Sequence, residues 1–154
     1  MSTALFRKVA NRRKGFSLVE LAVVVIIIGV LAAFGVPKML TAVERSKAAE
    51  AFGYLSAIRS AQERYQAQEG TYASDPADLD IEQDAPKYFS VPETISAGES
   101  SDLEDSWTLT LTRDGASAGY GEYTVTFTED GYDSANSTIE GMDINPMGSS
   151  SSGT

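Results

Sequence analysis

The chain has 154 residues, with 12 Lys and Arg against 22 Asp and Glu, no histidine and no cysteine. That length allows one modest domain and an additional apolar segment. The missing side chains exclude disulfides, thiolate metal sites, histidine general bases and the usual serine triad. The charge is divided unevenly. Five cations (Arg7, Lys8, Arg12, Arg13 and Lys14) precede Gly15, and every carboxylate follows it. From Phe16 onward 7 cations face 22 anions. So acidic a body lacks the Lys and Arg that neutralise phosphates, and no direct nucleic-acid binding is expected.

In chain order, residues 1–15 read as a basic polar leader. Residues 16–36, "FSLVELAVVVIIIGVLAAFGV", contain a single charge, Glu20. As a helix these residues would be about 30 Å long, the thickness of a bilayer core. The preceding cations predict that the leader stays cytoplasmic and the C-terminal portion faces outward. A cleaved secretory signal would have a shorter apolar core and a small-residue cleavage site after it; here the helical pattern carries on instead. Residues 37–69 read as an amphipathic continuation, with Ala48, Phe52, Leu55, Ile58, Gln62 and Tyr65 on one face at three- and four-residue steps. Gly70 occupies a C-terminal cap position, and Pro37 predicts a kink or a locally unwound point. The expectation is one long helix, about 16–69, with its weak point near Gly35 to Pro37.

Residues 70–105, with Pro76, Pro86 and Pro92, read as a connecting loop with at most short elements. Strand patterns follow over 106–147. "WTLTLT" (Trp107 to Thr112) and "EYTVTFT" (Glu122 to Thr128) alternate with period two, separated by the turn "RDGASAG"; "EDG" marks a second turn, and Ser137 to Met142 reads as a weaker third strand. The predicted class is α+β: the polar half of the helix packed on a three- or four-stranded antiparallel sheet. Residues 148–154 read as a low-complexity, disordered tail.

The stretch "KGFSLVEL" resembles the processing site of the type IV pilin and pseudopilin family. It has the basic leader, the glycine, an aromatic residue, an apolar run and a glutamate five positions after the glycine. The order of helix, proline, amphipathic continuation, loop and antiparallel sheet extends the resemblance to nearly the whole chain. The resemblance implies a pilin-like fold and a structural, non-enzymatic filament subunit. A prepilin peptidase would cleave between Gly15 and Phe16 and N-methylate Phe16. The subunit would wait as a single-pass inner-membrane protein. An inner-membrane assembly platform would then extract it into a homo-oligomeric helical filament, at the cell surface or, for a secretion pseudopilus, in the periplasm. The residues expected to carry assembly are Phe16, Glu20 and Pro37. Cleavage would leave a positive amine in apolar surroundings. Glu20, one helical turn away, would neutralise it in the same chain or in a neighbour.

Other readings stay open at this stage. A type II secretion pseudopilin fits the same motif. A single-span membrane-anchored binding protein that never assembles would keep residues 1–15. The acidic turns "SSDLEDS" (Asp102, Glu104, Asp105) and "TEDGYDS" (Glu129, Asp130, Asp133) carry the oxygen ligands that Ca²⁺ takes, although neither has EF-hand spacing. Pilins of the resembling family often close their C-terminal region with a disulfide. In this cysteine-free chain the favoured reading of both turns is solvated charged residues, with no metal expected; calcium bound there, as the weaker alternative, would replace the disulfide as a staple for the sheet. No other cofactor is expected.

Overall fold

The computed structural model of the chain describes residues 15–115 and 119–148. The leader through Lys14, the centre of the 113–119 turn and the tail from Ser149 lie outside these residues. The chain separates into two compact units, residues 1–36 and residues 37–154.

Helix α1 spans Leu18–Glu69 and is assigned without a break through Pro37. The proline has no N–H to donate, but it does not end the helix. Gly70 does. Its φ of +79° is a left-handed conformation that glycine adopts without penalty, and its N–H bonds the Gln66 carbonyl at 2.8 Å. In the first unit α1 is exposed on all sides. In the second, Ala48, Ala51, Phe52, Tyr54, Leu55, Ile58 and Ala61 are buried, as the three- and four-residue spacing requires.

A four-stranded antiparallel sheet, in the order β1-β2-β3-β4, receives that face. Its strands are β1 (Ser96–Ala97), β2 (Trp107–Arg113), β3 (Tyr123–Thr128) and β4 (Gly131–Tyr132). β2 and β3 pair from Thr108 opposite Thr128 to Arg113 opposite Tyr123. The period-two pattern sorts their side chains. Trp107, Leu109, Leu111, Tyr123, Val125 and Phe127 turn inward and are buried, while the threonines between them lie on the outer side, where Thr126 is itself covered. Phe52 of α1 meets Phe127 edge-on at 5.7 Å and Tyr132 at 4.9 Å, so helix and sheet share one core. Each fully buried Leu or Ile in that core contributes on the order of 2 kcal/mol.

The expected strand over Ser137 to Met142 is not formed; those residues make turns. Hydroxyl and backbone hydrogen bonds hold the segment beside β3 instead. Ser137 Oγ accepts from the Thr126 N–H at 2.8 Å, Thr138 Oγ1 accepts from the Thr124 N–H at 2.7 Å, and the Ile139 N–H reaches the Thr124 carbonyl. These side chains take donors that a neighbouring strand would have taken. The outer strands come from elsewhere. Gly131, with a φ of +113°, lets the chain reverse directly into β4, and the expected loop supplies β1. The loop also contains a short 3-10 turn, Pro76–Asp78, capped by Asp75.

Candidate functional site

The first unit is one apolar stretch of helix with a polar start. Ser17 caps it: its Oγ accepts from the Val19 N–H at 3.3 Å and its carbonyl from the Leu21 N–H at 3.1 Å. Glu20 follows three residues after the cap, in the first helical turn, and is exposed. Ser17-x-x-Glu20 is the spacing of a capping box, a helix-start signal that the Gly–Phe–Glu pattern does not include. Phe16, Leu18, Val19, Leu31 and Phe34 are each at least 67% exposed, so none of the described residues covers them. A methyl group added at Gly15, Gly29 or Gly35 would meet nothing within 4 Å. No packing among the described residues requires those glycines. The structure therefore places Gly15, Phe16 and Glu20 together at the exposed start of α1.

The second unit treats its own carboxylate in the opposite way. Glu44 is 1% exposed. Arg113 Nε donates to its Oε1 at 2.8 Å, the Tyr123 hydroxyl donates to the same oxygen at 3.0 Å, and Lys47 Nζ donates to Oε2 at 3.2 Å. Burial acts to raise the Glu44 pKa, but the donors from Arg113, Lys47 and Tyr123 outweigh it and hold the carboxyl below its ordinary range. Burial, reinforced by the neighbouring Glu44 carboxylate, pushes the Tyr123 hydroxyl well above its usual value. One turn before Glu44, Thr41 Oγ1 shares a 2.7 Å hydrogen bond with the Tyr120 hydroxyl. One residue after it, Arg45 donates to the Pro146 carbonyl at 3.4 Å. The sequence holds a sign of this cluster. Glu44 lies four residues before Ala48 on the stripe that continues through Phe52, Leu55 and Ile58, where a carboxylate must find a partner. Gln62, on the same stripe, is also buried, and its amide both donates to and accepts from the Ala73 backbone at 2.8 Å.

The acidic turns are not assembled into a metal centre. Among the described residues no three Asp, Glu, His or Cys side chains gather where they can hold an ion. Asp102 Oδ1 accepts from the Glu104 N–H at 3.1 Å. Asp133 accepts from the Ala135 and Asn136 N–H groups and from the Asn136 amide, which lower its pKa. What ties the C-terminal region is a polar clasp. Asn145, 2% exposed, donates to Glu140 Oε2 at 3.0 Å and to the Gly148 carbonyl at 3.1 Å, and its own oxygen accepts from the Met147 N–H. The Tyr132 hydroxyl donates to the same Glu140 oxygen at 3.0 Å. Burial first, then the Glu140 carboxylate, push the Tyr132 pKa up to about 12.

A family model of the prokaryotic N-terminal methylation motif matches residues 10–36. The type IV major pilin protein PilA of Myxococcus xanthus is 40% identical over 62 residues, which are 40% of this chain and 28% of that one. The type IV narrow pilus major component PilA5 of Thermus thermophilus is 42% identical over 50 residues, 32% of this chain and 43% of its own. The type II secretion system core protein G of Pseudomonas aeruginosa is 36% identical over 64 residues, 42% and 45% of the two chains. The chain thus spans less than half the length of each of these relatives. It carries the prokaryotic N-terminal methylation motif at the start of an exposed apolar helix, and over part of its length it is similar to type IV pilins and to a type II secretion core protein.

Proposed function

We propose that the chain is a structural subunit of an extracellular type IV pilus-like filament. The observation that carries this reading is the apolar segment Phe16–Val36, exposed on every side and carrying a single charge, Glu20. Such a surface is stable in a membrane or against copies of itself, and not in water. The methylation motif supports a passage from the first setting to the second. In this reading residues 1–15 are removed by a prepilin peptidase, Phe16 becomes the N-methylated terminus, and residues 16–36 form the membrane anchor and later the filament core. Glu20 then pairs with the Phe16 amine. Dispersion and apolar contact hold the helices together without fixing their register; one charge pair fixes it. Pro37 marks the start of the head, here meaning the unit from residue 37 onward, and supplies the place where α1 can bend or loosen during extraction.

The match to a secretion core protein favours one second reading, a subunit of a type II secretion pseudopilus. The experiment is intact mass of the protein from sheared extracellular fibres and, separately, from membranes. A chain beginning at N-methyl Phe16 in the fibres is the expected result. The same mature chain absent from fibres and confined to the periplasmic side transfers the function to the pseudopilus. A chain that keeps Met1 to Gly15 and never leaves the membrane overturns both and leaves a plain membrane-anchored binding protein.

A further inference from the structure

Two surfaces of the head are not used by the core, by the Glu44 cluster or by the clasp. The first is the outer face of the sheet. Thr108 and Thr110 of β2 stand opposite Thr128 and Thr126 of β3, and the Thr110 and Thr126 hydroxyls bond one another at 2.9 Å. The partly exposed Thr108, Thr110 and Thr128 floor a groove of about 820 Å³ above the buried Thr126, and the turn after β3 walls it with Asp130 and Asp133. Asp130 is exposed and makes no ion pair among the described residues.

The second surface is a knob. Tyr88 is 40% exposed, with Lys47 Nζ 4.8 Å, Arg113 Cζ 5.6 Å and Lys87 Nζ 5.9 Å from its ring centre. Three of the seven cations found from Pro37 onward thus surround one ring. Lys87 is exposed and, among the described residues, has no carboxylate partner for its ammonium. The knob is held firmly. The Lys87 N–H donates to Glu50 Oε1 at 3.1 Å, Phe89 packs on Tyr123 at 5.8 Å, and Ser90 bridges to Thr112.

We propose that the Lys87–Tyr88 knob of one copy seats in the threonine groove of a second copy, with Lys87 facing Asp130. The proposal rests on the filament reading above. Charge favours it: 21 carboxylates and 7 cations make identical heads repel, and a contact that turns the unpaired cation of one head toward the acidic wall of the next offsets that repulsion. Chemistry favours it as well, because a tyrosine ring suits a floor of threonine methyl and hydroxyl groups. Position excludes closure within one chain. The knob lies beside Lys47, whereas the groove wall lies beside Arg59, whose Nε donates to the Glu129 carbonyl at 2.8 Å. Those two positions are about 18 Å apart along α1. The surfaces differ and are displaced along the helix, so the contact is heterologous and repeats from copy to copy without closing.

The cysteine-free chain makes the test direct. Full-length protein carrying Lys87→Cys and Asp130→Cys together, assembled into fibres and oxidised, is expected to run as a ladder well beyond the dimer on a non-reducing gel. Either single cysteine gives at most dimers. Lys87→Glu is expected to lower fibre yield about tenfold, and Lys87→Glu with Asp130→Lys to restore it. Both sites are exposed, and thermal melting of each full-length variant checks that its head is folded. Wild-type fibres with no ladder in the double-cysteine protein overturn the proposal and leave the filament reading standing. So does Lys87→Glu assembling at full yield, or the charge swap failing to restore it. A wild-type chain that forms no fibres at all removes the filament reading, and this contact with it.

Discussion

Glu20 and Glu44 are the same side chain in the same helix, and the chain treats them oppositely. Glu44 is enclosed and receives hydrogen bonds from Arg113, Tyr123 and Lys47. Glu20 stands exposed in an apolar segment that has no cover of its own. A carboxylate whose donors are all supplied by its own unit is part of how that unit folds. A carboxylate left in apolar surroundings without them is, in the reading proposed above, one that pairs with the Phe16 amine. In the proposed filament the two regions differ accordingly: the head supplies the partners of its own buried carboxylate, and the segment before it relies on partners from outside its unit.

The sharpest way to break that comparison is to remove each carboxylate and ask which property fails. Glu20→Val is expected to reduce fibre yield by more than tenfold, since it leaves a buried amine unpaired, an arrangement that costs about 3–5 kcal/mol. Thermal melting of the head is expected to stay unchanged. Glu20→Gln separates charge pairing from capping, because glutamine keeps the capping-box spacing after Ser17. Fibres from Glu20→Gln at full yield would show that the cap matters and the charge does not.

The reciprocal change acts on the head. Arg113→Met leaves Glu44 buried with only Lys47 and Tyr123, and is expected to destabilise the head by about 3 kcal/mol in urea melts. Cleavage at Gly15 should proceed as before. Glu44→Leu combined with Arg113→Met is expected to recover much of the loss, because an apolar pair leaves no orphaned charge. A double variant as unstable as the single one would mean that the packing of the arginine, rather than its charge, carries the effect.

The two carboxylates also differ in what acid does to them. The Glu44 pKa is depressed in the folded head, so its stabilising contribution is present above the ordinary value of 4.5 and is lost as pH falls through the lower folded value. Acid unfolding of the head is expected to begin in that window. Glu44→Gln should flatten the slope there, at the cost of some stability at neutral pH. An unchanged acid slope in that variant would assign acid unfolding to other carboxylates.

Much of this division is legible in the order of residues alone. The uninterrupted apolar run, the Gly–Phe step and the five-residue spacing to Glu20 are local signals, and the period-two threonines of β2 and β3 fix which face of the sheet turns inward. What stays hidden depends on contacts distant in sequence. Glu44 is a helix-forming glutamate until Arg113, 69 residues later, comes to it. Ser137 to Met142 is a weaker strand candidate in the sequence, and in the structure Ser137 and Thr138 direct their hydroxyls to the β3 backbone and no ladder forms. β4 is too short for periodicity to reveal; only the glycine at 131 marks it. The acidic turns look like oxygen ligands because composition cannot tell a carboxylate facing a shared ion from one bonded to its own turn.

The smallest effect sharpens the comparison from the C-terminal end. A cysteine-free head needs another way to hold its last residues, and the Tyr132–Glu140–Asn145 clasp supplies it through neutral and charge-assisted hydrogen bonds. Tyr132→Phe removes one donor while keeping the ring that packs on Phe52, and is expected to cost about 1 kcal/mol. The raised pKa adds a sign. Tyrosine in the unfolded chain loses its proton near 10, whereas Tyr132 in the fold holds it to about 12. Its contribution is therefore complete below pH 10 and disappears as pH rises through that interval. Wild type and Tyr132→Phe should converge in stability at the alkaline end. If calcium were the staple, EGTA would lower the melting temperature and Tyr132→Phe would matter little. The clasp predicts the reverse: no response to EGTA, and a loss in the variant that alkali erases.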